Sequence, residues 1–230
     1  MNVRRALVST AAGAALLAAT FAGAGVATAS AAAHSAKVTP AAAPTKTLGS
    51  TPLATVLAPY ASSYNTNWND YNIVTHAVFA VLKAKPASKV GVLAKGNVAL
   101  TAFVPNDRAF QILVKQLTGK TVRTEAGVFA AVATLGIPTI EKVLLYHVVP
   151  GATITAAQAL KANGATLKTA LGATIHVAVY RGPVISLWDK DHYLRNPRVI
   201  LSQTNINVGN KQIAHGIDRV LLPLPLKPVA

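Results

Sequence analysis

From residue 70 to 85, apolar side chains recur at Ile73, Val74, Ala77, Val78, Val81 and Leu82, the spacing of one helical face. Asp70 stands where it can cap such a helix, and Pro86 ends it. The pattern then changes to an unbroken apolar run, Leu100 to Val104, which predicts a buried strand that Pro105 closes. Asn106 or Asp107 follows as the cap of a second helix whose first inward residues are Ala109, Phe110 and Leu113. A short alanine-rich helix is expected over 125–135. Ile140, Val143 and Leu144 then keep helical spacing up to Tyr146. His147, Val148 and Val149 read as extended chain, and Pro150-Gly151 stops it. A helix running straight into a strand, with Tyr146 and His147 at the joint, predicts a fixed point of the fold. Two polar-tipped rings need hydrogen-bond partners when buried.

Upstream, 53–60 has the pattern of a short helix, 62–69 is polar loop, and 89–95 is a connection. Trp68 and Tyr71 are expected to pack this lead-in onto the domain. Downstream, Thr155 caps a small helix over 156–162. From Thr166 the chain alternates in short runs, which predicts strands at 167–170, 174–180, 184–187 and 199–202. Gly209-Asn210 suits a tight hairpin, and 216–222 reads as the last strand. Phe79, Phe103, Phe110 and Phe129 read as core. Helices early and strands late make an α+β domain.

The ends read differently. Arg4 and Arg5, an uncharged alanine-rich run and two small-x-small patterns mark 1–33 as a secretory signal peptide rather than a membrane anchor. Residues 34–69 are an Ala/Pro/Thr-rich linker and lead-in, 70–223 the domain, and 224–230 a proline-rich tail. An extracellular location follows, free or held at a cell wall, with no transmembrane segment in the mature chain. The chain has no cysteine, so its core must hold the fold without disulfides.

Charge narrows the partners. The chain carries 22 Lys and Arg against seven acids, a net +15, which loss of Arg4 and Arg5 with the leader lowers by two. Export, scattered basic residues and a lack of interleaved aromatics argue against nucleic acid. An anionic polysaccharide, another surface polymer or an unknown protein fits better. An enzyme is hard to assemble: there is no nucleophile elbow, no cysteine nucleophile, no phosphate loop and no evident carboxylate pair. Asp189, Asp191 and His192 have the letters of a metal site, but Lys190, Arg195 and Arg198 crowd them with positive charge. That stretch is read as a solvated polar loop, and no metal or cofactor is expected.

Three stretches resemble the fasciclin domain family: LTAFVPNDRAF (100–110), VLLYHVVPG (143–151) and QIAHGIDRVLLP (212–223). The family-motif positions are Thr101, Phe103, Pro105, Asn106, Asp107, Ala109, Phe110, Tyr146, His147, Pro150, Gly151, His215, Ile217 and Asp218. The resemblance implies an α+β fold, a twisted β-sandwich or wedge with helices packed at one side. It also implies a secreted, non-enzymatic binding or adhesion domain that contacts a cell surface or matrix. Two alternatives stand beside it: electrostatic attachment to a cell wall or glycan, and a small-molecule carrier with a pocket near 189–198. His147 is expected to be a buried tether bonded to the Asn106-Asp107 cap, with His215 and Asp218 doing similar work near the last strand. The 188–198 stretch looks like an insertion, so Trp188, Asp189, Asp191, His192, Tyr193 and Arg195 form the candidate recognition loop.

Overall fold

The computed structural model describes residues 47–229. The expected signal peptide, and the linker as far as residue 46, lie outside the described residues.

The first half of the domain is helical. Helices α1 (Leu53–Leu57), α2 (Asn72–Ala84), α3 (Asp107–Thr118), α4 (Glu125–Ala133), α5 (Ile137–Tyr146) and α6 (Ala156–Ala159) occur near the expected places. The connection over Lys89–Ala94 is a 3-10 turn capped by Ser88. The inward face of α2 buries Ile73, Val74, Ala77, Val78 and Val81, as its periodicity predicts. Phe79 lies off that face and is 39% exposed, so it is not core.

Asp70 does not cap α2. Tyr71 occupies the N-cap without a side-chain acceptor, and the Asp70 carboxylate takes the Asn65 Nδ2–H instead. The first N–H groups of α2, on Asn72 and Ile73, donate to Asp107 at 3.0 and 2.8 Å. Asn106 caps its own helix through the Ala109 N–H. Adjacent residues thus cap two different helices, one locally and one across the fold.

Strands β1 (Leu100–Pro105), β2 (Val148–Pro150) and β6 (Gln212–Ile217) form one sheet in the order β2-β1-β6. Strand β1 is antiparallel to β2 and parallel to β6. Strands β3 (Thr166–Lys168), β4 (Thr174–Tyr180) and β5 (Val184–Trp188) form a second, antiparallel sheet. Strand β1 is buried on both faces. Leu100, Ala102 and Val104 join a core with the helices, while Phe103 joins a second core with Ile175, Val177, Ile185 and Leu187 of the other sheet. Helices therefore cover one side of the central sheet and the second sheet covers the other. Each fully buried Leu or Ile in these layers contributes about 1.5–3 kcal/mol.

Three strand expectations need correction. Residues 199–202 make only an isolated bridge at Val199 and then a 3-10 turn, Leu201–Gln203. The last strand is Gln212–Ile217 rather than 216–222, because the N–H groups of Leu221 and Leu222 are taken by side chains, His147 and Asp189. Gly209-Asn210 does not turn a regular hairpin. Asn205 and Asn207 adopt φ of 57° and 65°, and Asn207 and Asn210 clasp Thr51 in the lead-in.

Candidate functional site

At the helix-to-strand joint, α5 ends on Tyr146 and His147 is its C-cap, still right-handed at φ −83°, so the extended chain starts one residue later than expected. Tyr146 is fully buried, with its hydroxyl donating to the Thr174 carbonyl at 2.9 Å. This bond links α5 to the second sheet. His147 is buried, and its partner is not the Asn106-Asp107 cap. Its Nδ1 lies 2.7 Å from the Val143 carbonyl, and its Nε2 accepts the Leu221 N–H at 2.9 Å. That arrangement requires a neutral ring with the proton on Nδ1. Burial pushes its pKa down to about 4.

His215 repeats the device on β6. Its Nε2 meets the Ile154 carbonyl at 2.8 Å, and its Nδ1 accepts the Asn205 N–H at 3.3 Å. Thr101 bonds Ala152 and Ile154, both at 2.8 Å. Phe103, Pro105, Ala109, Phe110 and Ile217 are buried, and Pro150 and Gly151 are exposed at the end of β2. Asp218 holds the Arg195 guanidinium at 2.6 Å and the Arg198 N–H at 2.7 Å.

The 188–198 loop is not a solvated polar loop throughout. Its carboxylates point inward. Asp189 accepts the N–H groups of Asp191 and Leu222, and Asp191 those of Tyr193, Leu194 and Leu226, all within 3.3 Å. Asp191 is 6% exposed. With every one of these bonds made to backbone, the two carboxylates fix the loop. Burial pushes Asp189 up to about 6. The outward side carries Trp188, Lys190, His192, Tyr193, Arg195 and Arg198, all exposed. Trp188 is 48% and Tyr193 51% exposed, and His192 lies 4.3 Å from the Tyr193 ring. The pocket beneath this loop has a volume of about 10 Å³, room for one water at most. The carrier expectation therefore fails at that place. A larger apolar cleft of about 110 Å³ lies between α3, α5 and the 220–226 segment.

Two arrangements escape sequence reasoning. Gln212, fully buried, bonds Leu53 N–H, Val92 O and Lys95 O at 2.8–2.9 Å. Asp70, Asp107 and Glu125 converge at the starts of α2, α3 and α4, with carboxylate oxygens within 4.8 Å of one another. Single acids before helices read as local caps, and nothing local signals that they meet.

Charge is partitioned by sign. None of the seven acids is exposed, while every described lysine and arginine is exposed except Lys211 and Arg219, which are half-buried. Lys89 and Lys142 line an open groove beside the Lys85–Glu141 ion pair. Among the described residues no single helix is long and apolar enough to cross a membrane.

These features define an α+β domain with internal histidine tethers and an outward-facing aromatic and cationic loop. The family model of the fasciclin domain matches residues 74–223, well over half of the chain, and the chain belongs to that family. Fasciclin domains are commonly adhesion-related and occur in extracellular and cell-surface proteins. Among solved structures, the chain is similar to a FAS1 domain pair from the insect cell adhesion molecule fasciclin I, at 20% identity and a TM-score of 0.48. The match covers 73% of this chain and half the length of that neighbour. No curated protein matches the sequence.

Proposed function

We propose that this protein is a secreted, non-enzymatic binding domain that contacts an anionic polymer at a cell surface or matrix through the 188–198 loop. The carrying observation is the partition of charge. With five acids turned inward and Glu141 and Asp218 paired to Lys85 and Arg195, cations dominate the charge of the outer surface. The loop adds two half-exposed aromatic rings beside Lys190, Arg195 and Arg198. Trp, Tyr and Arg are the side chains that dominate binding energy at interfaces. A loop already fixed by Asp189 and Asp191 loses little entropy on binding.

The second reading is attachment by net charge alone, favoured by the net +13 that remains of +15 once Arg4 and Arg5 leave with the leader. Binding to intact cells and to an immobilised anionic polysaccharide, measured across a salt series, separates the two. Loop recognition predicts saturable binding that persists at high salt and falls at least tenfold in the Trp188→Ala/Tyr193→Ala double variant. Binding that vanishes with salt and ignores the double variant would leave net charge as the cause.

A further inference from the structure

Three of the seven acids meet in the interior of a strongly basic protein, and no cation side chain meets them there. Asp107 is fully buried, Glu125 is 1% exposed and Asp70 is 9% exposed. Among the described residues, ion pairs form only at Glu141 and Asp218. Backbone and amide donors serve part of the charge. Asp107 takes the N–H groups of Asn72 and Ile73, and Asp70 takes the Asn65 amide. Glu125 Oε2 takes the Asn65 N–H and the Asn72 amide, both at 2.8 Å.

The helix starts help as well. Each helix N-terminus carries about half a positive charge at most, so three of them offset roughly half of three carboxylates. A deficit of at least about one and a half charges remains.

An orphaned atom marks where that deficit sits. Glu125 Oε1 is buried and has no donor. A carboxylate oxygen shut away from water without a partner is costly, and interiors rarely tolerate one. Thr75 Oγ1, one turn along α2 from Asn72, is also buried without a partner. Hydrogen bonding inside the cluster thus accounts for the other oxygens and leaves this one unexplained.

We propose that Asp70, Asp107 and Glu125 form a calcium site that ties together the starts of α2, α3 and α4. The donor set is all carboxylate oxygen, which selects a hard cation over zinc or copper. Calcium binds oxygen at about 2.3–2.6 Å, so two ligands of one ion lie at most about 5 Å apart. The observed limit of 4.8 Å meets that condition without movement. Magnesium needs a tighter cage, with opposed oxygens about 4.2 Å apart, and gives up its waters reluctantly. The positive surface is a weak obstacle, because exposed charges more than about 8 Å away are screened at physiological salt. The two charges of a calcium ion cover that deficit.

The test uses the full chain purified in chelator. Calcium is titrated by calorimetry, and thermal unfolding is followed with calcium, with magnesium and with neither. Calcium at about 10 mM is expected to raise Tm by about 3–8 °C, the range for a site of extracellular affinity, with a smaller magnesium effect. Glu125→Gln keeps the shape of the site and removes the unpartnered charge. It should remain folded without metal and lose at least tenfold in calcium affinity. If that variant does not fold, Asp70→Asn, at the edge of the cluster, carries the same expectation. No calcium heat and no Tm shift in the native protein would overturn the proposal and assign the deficit to a shared proton. A calcium shift undiminished in the folded variants would overturn it too, by placing the ion elsewhere. Neither result bears on the 188–198 loop, so this site and the binding role fail independently.

Discussion

Replacing His147 by alanine tests whether the Tyr146-His147 pair is internal structure. The ring is 5% exposed and joins α5 to the segment after β6 through two short bonds. Alanine leaves the Leu221 N–H and the Val143 carbonyl without their partner and opens a ring-sized gap. An orphaned buried group costs about 1–3 kcal/mol, and deleting a buried ring costs about 3–5 kcal/mol where the gap cannot close. The two overlap, so about 4 kcal/mol is expected at pH 7. For a domain of this size that lowers Tm by about 8–16 °C.

The pH dependence makes the test sharper. His147 is held near 4 in the folded state against an ordinary 6.5, chiefly by burial. Between these values the unfolded chain binds a proton that the folded chain refuses. Stability from this group is therefore full above about pH 6.5 and is lost as pH falls towards 4, by about 3 kcal/mol in total. Asp189 and Asp107 have raised values and the opposite sign, so the native curve alone is a mixture. The difference between native and His147→Ala isolates the histidine. Urea unfolding followed by tryptophan fluorescence should give a gap of about 4 kcal/mol at pH 7 that shrinks to about 1 kcal/mol near pH 4. Partner binding, measured where both proteins are folded, should not change. A gap below 1 kcal/mol at pH 7, or one that ignores pH, would refute the tether. Lost binding with intact stability would place the ring in the interface instead.

Gln212→Ala should cost about 2–3 kcal/mol in urea unfolding, because it strands the buried Leu53 N–H and removes the bonds to Val92 and Lys95, which tie two separate segments to β6. A loss under 1 kcal/mol would mean that water replaces the amide. Asp191→Ala frees the N–H groups of Tyr193, Leu194 and Leu226. Hydrogen exchange at those three amides should rise at least tenfold, with weaker partner binding, while amides in β1 stay protected. Equal exchange would show that the loop holds itself without the carboxylate.

Elements whose causes are local were legible from the residues. Strand β4 falls at 174–180 as its alternation requires, Asn106 and Thr155 cap as their positions suggest, and α5 runs into β2 with Tyr146 at its end. Elements decided by distant partners were not. The 216–222 run is apolar enough for a strand, but β1 pairs in parallel with 212–217, and His147 and Asp189 claim the later amides. Asp107 looked like a local cap and instead serves α2, from across the fold. The loop at 188–198 was placed correctly, while the direction of its acids was not, because the amides that turn them inward include Leu222 and Leu226, far along the chain.

The same distribution makes binding and stability separable. Asp107 and Asp191 hold backbone amides in the interior, where salt screens little, and cations stand outside, where it screens strongly. Raising ionic strength should therefore weaken attraction to an anionic surface without loosening the tethers at Asp107 or Asp191. Lowering pH does the reverse: it leaves lysine and arginine charged and acts on the buried groups, Asp189 near 6 and His147 near 4. A cationic exterior built with five acids turned inward, and with Glu141 and Asp218 paired to cations, is thus more than an excess of basic residues. Each acid used inside removes a negative charge from the face a partner meets, so the interactions that fix the 188–198 loop also set the sign of its surface.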